Sequence, residues 1–219
     1  MRNAAETRGR LLETATRLIW QSNYSSVGVN EICKQAGVTK GAFYHHFDSK
    51  ADLFVEASRY YWDEIKIRLD TIFSPSFTPL EQLENLIQFV VEKQEDEGLE
   101  DGMEVSGCPF FTAGAQAGAQ EPKIRMAVEE MTDRVHQYNV ALMRGLKADG
   151  VLDGDADVDQ LARFVLHYVQ GLMIYGRVMN SLEAIRVDLR QGMYQLIDLK
   201  PEYRLTEEEA EARAKAQAA

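Results

Sequence analysis

The stretch "AGVTKGAFYHHF", Ala36 to Phe47, ends one helix and starts another within four residues. Upstream of it, Val29, Ile32, Cys33 and Ala36 recur at three- and four-residue spacing, which predicts a short amphipathic helix from about Val29 to Gln35. Gly37 stops that helix, and Thr39 is placed to cap the next, from Lys40 to about Phe47. Two short helices joined by a glycine-containing turn form the outline of a helix-turn-helix, whose second helix enters the major groove. At 100° per residue Lys40, Gly41, Tyr44, His45 and Asp48 share one arc, while Phe43 and Phe47 point the other way with Ala42 and His46. The phenylalanines anchor the helix, and the arc offers donors for phosphates and base edges. A pair of packed surface helices with a solvated polar face fits this pattern as well.

Every other periodic segment reads as helix, and the expected fold is all-α. A first helix spans about residues 4 to 22, with Leu11, Leu12, Ala15, Leu18 and Ile19 on one face and Asn23 at its end. A long helix runs from about Ser49 to Phe73, until Ser74-Pro75 and Thr78-Pro79 break the chain. Another follows from Leu80 to about Glu97, and the acidic "EDEGLEDGMEVSG", Glu95 to Gly107, reads as an exposed loop. Further helices are expected over about Lys123–Lys147, Asp157–Met179 and Ser181–Leu199, before an alanine-rich charged end. This gives a three-helix head over residues 1–50, a larger helical body over 51–200, and a charged tail over 201–219.

The 219 residues are 45 % hydrophobic, as suits a folded globular chain, and carry a net charge of −11. The charge is uneven. Residues 1–50 hold seven Lys or Arg against four acids, a net +3 that leaves −14 for the rest. A basic head with an acidic body permits a polyanion partner at one end only. No run of roughly 18 apolar residues occurs, and the first residues lack a signal peptide's apolar centre, so no membrane partner is expected and the cytoplasm is the default compartment. Cys33 and Cys108 have neither disulfide-framework nor zinc-ligand spacing, so no metal and no cofactor are expected.

The segment "NYSSVGVNEICKQAGVTKGAFYHHFDSKADLFVEA", Asn23 to Ala57, closely resembles the DNA-binding domain of the TetR family of transcriptional regulators. It has the "AGV-T/S-K-G" corner, the "Y-x-HF" ending and the "SK-x-x-L" entry to the next helix, in order and spacing. The resemblance implies a ligand-responsive repressor: a homodimer that grips a palindromic double-stranded operator and releases it when a small-molecule effector binds the body. Carried over by position, base contacts would fall on Asn30, Lys40, Gly41, Ala42 and His45, and phosphate contacts on Thr39, Tyr44, His46 and Lys50. The helical wheel instead puts His46 on the anchored side. Gly28 stands where the family usually has a threonine or serine, so a hydroxyl is expected to be missing there, and Asn23 replaces a frequent glycine.

The body is less specific. "GCPFFTAGAQAGAQEP", Gly107 to Pro122, resembles the "GC"-led sixth helix of some branches of the family, beside the effector cavity. Candidate effector residues are Cys108, Phe110, Phe111, Tyr138, Phe164, His167, Tyr168 and Tyr175. Cys108 reads either as a sensing thiol or as a packing residue, and His167 either as a ligand contact or as a hydrogen-bonded core histidine. The helix over 157–179 is apolar on two sides and needs two partners, one of which would be a second subunit. No nucleophile with an adjacent base, no paired carboxylates and no phosphate loop occur, so no catalytic residues are assigned and the chain is not expected to be an enzyme. The competing reading is a helical ligand-binding adaptor without specific DNA recognition.

Overall fold

The computed structural model describes residues 2–22, 24–96, 105–155 and 157–217. Among them there is no strand. The helices are α1 (Arg2–Gln21), α2 (Val29–Ala36), α3 (Lys40–His46), α4 (Lys50–Ile72), α5 (Pro79–Asp96), α6 (Pro109–Ala117), α7 (Pro122–Ala148), α8 (Val158–Met179), α9 (Leu182–Leu196) and α10 (Glu207–Gln217), with a 3-10 turn at Pro201–Tyr203. The expected all-α architecture is the observed one. Asn23, expected to end the first helix, lies outside the described residues, as do 97–104 of the acidic stretch. The rest of that stretch corrects the loop reading: Val105 and Ser106 are fully buried and Gly107 is buried too. The acids around them hid a short segment that packs inward.

Packing divides the chain into two compact units, with the boundaries inside α4 and α7. The first unit contains α1, α2, α3, α4 up to Ile67, α6, and α7 up to Asp133. One of its cores joins Leu11, Leu12, Ala15 and Leu18 of α1 to Ile32, Cys33 and Ala36 of α2, Phe43 of α3, and Leu53 and Ala57 of α4, with Phe47 just beyond α3. A second core gathers Ile19, Tyr24, Phe54 and Tyr61 around Phe110, Ala113 and Ala117 of α6, and Ile124 and Ala127 of α7. Phe110 sits among rings, 5.5 Å from Phe54 and 5.0 Å from Tyr61 between centroids.

The second unit contains α5, the rest of α4 and α7, α8, α9 and α10. Its core includes Leu83 and Ile87 of α5, Val140 and Met143 of α7, Val165 and Leu172 of α8, and Ile185, Leu189 and Met193 of α9. Helices α8 and α9 cross closely because glycines allow it. A Cβ on Gly192 would lie 1.8 Å from the Tyr168 hydroxyl, and one on Gly176 would lie 2.9 Å from Ile185 Cδ1. A buried polar knot ties α5 to α9, where Glu84 accepts from Arg190 Nε at 3.2 Å and from the Tyr194 hydroxyl. The charged C-terminal segment docks on this unit. Ala210 is buried, Arg190 reaches Glu207 at 3.7 Å, and Arg213 donates to the Glu81 carbonyl at 3.5 Å. Helices α5 and α10 both start at capping boxes, Thr78 with Glu81 and Thr206 with Glu209, each threonine N–H donating to its glutamate at 2.8 Å.

Candidate nucleic-acid interface

The corner between α2 and α3 is built by backbone chemistry. Gly37 adopts φ +65°, the left-handed conformation that glycine takes without cost. Its N–H donates to the Lys34 carbonyl at 3.2 Å and the Val38 N–H to the Cys33 carbonyl at 2.9 Å, the double bond of a Schellman motif. Two residues later Thr39 Oγ1 accepts from the Ala42 N–H at 3.1 Å and starts α3. Phe43, fully buried, and Phe47 then hold α3 against α1, α2 and α4.

These anchors fix what α3 presents. Lys40, Gly41 and His45 are exposed and Tyr44 is 55 % exposed, its ring edge-on to Phe43. Asn30, the second residue of α2, is exposed, as is Thr39 beyond its capping bond. Ala42 and His46 are half-buried at the border of the arc. A Cβ on Gly41 would meet only Thr39 Oγ1, at 3.7 Å, so this side of the helix start is unobstructed. Gly28 is the N-cap of α2 and makes no side-chain bond, so the hydroxyl missing from the sequence is a missing cap.

Lys50 differs from the other candidates. Its ammonium donates to the Tyr24 carbonyl at 2.9 Å and the Val27 carbonyl at 3.0 Å, and sits 4.0 Å from the centre of the Tyr24 ring. All three faces of the ammonium are engaged, which pins the start of α4 to the turn between α1 and α2. Burial lowers its pKa, against the pull of Glu121. The Tyr24 phenol is raised to about 12, first by burial, then by the charges of Glu121 and Asp52. Arg8 braces the same head, paired to Glu56 at 2.7 Å with its guanidinium 5.6 Å above Phe47. Neither lock is visible in sequence, because the partners lie more than 20 residues away and two of them are backbone carbonyls.

The effector candidates divide between the units. In the first, Cys108 caps α6 through Sγ, which accepts from the Phe111 N–H at 3.5 Å, Phe110 is core, and Phe111 is half-buried. In the second, Tyr138 donates to Asp70 at 2.5 Å and lies against Phe73, and Tyr168 donates to the Asp188 carbonyl at 2.7 Å over Gly192. Phe164 and Tyr175, 42 % and 52 % exposed, share the outer side of α8 with exposed His167, so the core reading of His167 is corrected. Ile174, Val178 and Met179 extend this apolar side. Among the described residues no group of three His, Cys, Asp or Glu could hold a metal ion, and no helix is long and apolar enough to cross a membrane.

An exposed helix locked into a helix-turn-helix corner, on an all-helical chain, is the arrangement of helix-turn-helix DNA-binding proteins. Known proteins agree. Bacterial regulatory proteins of the tetR family match residues 11–57, and the tetracyclin repressor-like C-terminal domain matches residues 79–191. The transcriptional regulator AcuR of Cereibacter sphaeroides is 32 % identical over 156 residues, 69 % of this chain and 68 % of that protein. The HTH-type transcriptional regulator AcrR of Shigella flexneri is 32 % identical over 180 residues, 78 % of each chain. The crystal structure of a TetR-family regulator from Agrobacterium tumefaciens, 19 % identical, superposes with a TM-score of 0.78 over 88 % of this chain and 98 % of that one, a likeness of fold. The chain belongs to the TetR family, as a DNA-binding transcriptional regulator and not an enzyme.

Proposed function

We propose that the protein acts as a homodimer that holds a palindromic operator and releases it when a small molecule occupies the C-terminal body. The observation that carries this reading is the free arc of α3, with Lys40, Gly41, Tyr44 and His45 outward while Phe43 and Phe47 are buried. In this reading Lys40, Gly41, Ala42 and His45, with Asn30, face base edges, while Thr39, Tyr44 and His46 hold phosphates and Lys50 acts from behind. The apolar outer side of α8, with Val187 of α9, supports a second copy as the partner that buries it. Two heads so joined reach half-sites about one helical turn of DNA apart or slightly more. Release follows if the effector binds a conformation whose heads no longer match that spacing, since a ligand shifts an equilibrium only by its differential affinity. Occupancy of the operator then represses, and the effector induces.

The test is enrichment from a random-sequence duplex library at two salt concentrations, comparing wild type with a Lys40→Ala, Tyr44→Phe variant. Wild type should recover a palindrome whose binding weakens steeply with salt, and the variant should lose it. Recovery of no site by wild type at low salt overturns the reading.

A further inference from the structure

Two buried side-chain atoms of half-buried residues in the second unit have no hydrogen-bond partner among the described residues: Nδ1 of His136 on α7 and Oε1 of Gln170 on α8. Folded proteins pair nearly all such groups, because a polar atom without water or a partner costs free energy. Each unpaired atom therefore calls for a physical account.

Both residues lie beside buried stripes of their helices. His136 lies one helical turn before the buried Asn139 and Val140, and the same stripe continues to Met143. Val140 and Met143 enter a core with Leu83 and Ile87 of α5 and Val165 and Leu172 of α8, and Val90, Val91 and Val169 pack against it. Gln170 lies one turn before Met173, whose sulfur accepts from the buried Gln94 Nε2 of α5 at 3.7 Å. That side of α8 is turned toward α5. Two half-buried residues beside a largely aliphatic core thus each carry a buried polar atom without a partner.

We propose that His136 and Gln170 are the polar anchors of the effector site, and that the effector is a small, uncharged, mostly apolar molecule bearing an alcohol, phenol or primary amide. The inference rests on the ligand-responsive reading above. The amide oxygen of Gln170 only accepts, so its partner donates. A neutral imidazole presents Nδ1 as donor in one tautomer and acceptor in the other, so a group that both donates and accepts suits it either way. A carboxylate would oppose the Gln170 oxygen with lone pairs alone. A cation would lack a counter-charge, since Glu84, the buried carboxylate of this unit among the described residues, is already held by Arg190 and Tyr194.

The full chain is titrated without DNA against five size-matched probes: benzyl alcohol, benzamide, toluene, benzoate and benzylammonium. Melting temperature and the ring-nitrogen NMR shifts of His136 are followed. Benzyl alcohol and benzamide should raise the melting temperature of wild type and move the His136 Nδ1 signal, whereas toluene, benzoate and benzylammonium should do neither. Gln170→Leu and Gln170→Met should each melt about 2–6 °C above wild type without ligand, because the unpaired oxygen is gone, and should lose the response to both neutral polar probes. The proposal is overturned by silence of all five probes, by a response to the charged ones instead, or by leucine and methionine variants that keep the alcohol response. The NMR readout on wild type stands even if a variant fails to fold. Since no DNA is present, failure here leaves operator binding intact, and failure of operator binding leaves the probe response readable.

Discussion

Replacing Lys50 with methionine keeps the length of the side chain and removes its three N–H donors. The structure engages the ammonium with two carbonyls, at 2.9 and 3.0 Å, and with the Tyr24 ring at 4.0 Å. Hydrogen bonds from a charged group contribute about 1.5–3 kcal/mol each and a partly desolvated cation–π contact about 0.5–2 kcal/mol. Lys50 is half-buried and water can reach part of the site after the change, so the low end applies, and Lys50→Met should cost about 2–4 kcal/mol. For a chain of this size that lowers the melting temperature by about 5–15 °C. A phosphate contact makes a different forecast: its removal leaves the free protein's stability unchanged and reduces the salt slope of DNA binding by about one. Thermal unfolding and operator titration over a salt series separate the two. If Lys50 is a lock, the slope of the folded variant equals wild type and the melting temperature falls. A slope reduced by one with an unchanged melting temperature refutes this reasoning and returns the ammonium to a phosphate.

Gly192→Ala would place a methyl 1.8 Å from the Tyr168 hydroxyl and 2.3 Å from Cζ, so the ring must leave the α8–α9 crossing. A cost of about 1–3 kcal/mol in urea unfolding is expected, largely recovered in Gly192→Ala combined with Tyr168→Leu, a coupling that a double-mutant cycle reads directly. Gly28→Ser should stabilise the chain by about 0.5–1.5 kcal/mol in thermal melting, through a new N-cap on α2 and a less mobile unfolded chain. The position permits it, with φ −94°, ψ 157° and nothing within 4 Å of a Cβ. Tyr138 has its pKa raised to about 12, first by burial, then by its hydrogen bond to Asp70 and the charge of Asp70. With the folded pKa above the unfolded value of 10.0, its contribution is complete below pH 10.0 and is lost as pH climbs toward about 12. Urea midpoints measured across that window should fall less steeply for Tyr138→Phe than for wild type.

The reading head was legible because its decisive signals are local. A Schellman turn at Gly37, a threonine cap at Thr39 and two phenylalanines four residues apart need only neighbours in sequence, and each appears where the pattern put it. The capping boxes at Thr78 and Thr206 were equally local, and the T-x-x-E spacing was there to be read. Lys50 was not legible in this sense. An exposed-arc lysine and a locked lysine have the same letter, and the lock is made by carbonyls at Tyr24 and Val27, which any residue could supply. Glycine at 192 likewise has meaning only with the Tyr168 hydroxyl above it.

The body carries no such local signal, for a related reason. Phe164 and Tyr175 lie on a side of α8 that periodicity marks as apolar, and an apolar stripe is the same string whether it lines a cavity or faces a second chain. Aromatic letters on that side offer effector candidates or an interface alike, while the unpaired polar atoms, His136 Nδ1 and Gln170 Oε1, sit in unremarkable polar letters. The proposed DNA contacts fall in one contiguous segment whose geometry the backbone imposes, so family and head chemistry follow from some 35 residues, Asn23 to Ala57. The effector site proposed above is assembled from single residues on separate helices. What marks such a residue is the partner it lacks, and a lacking partner becomes visible only once every neighbour has been placed.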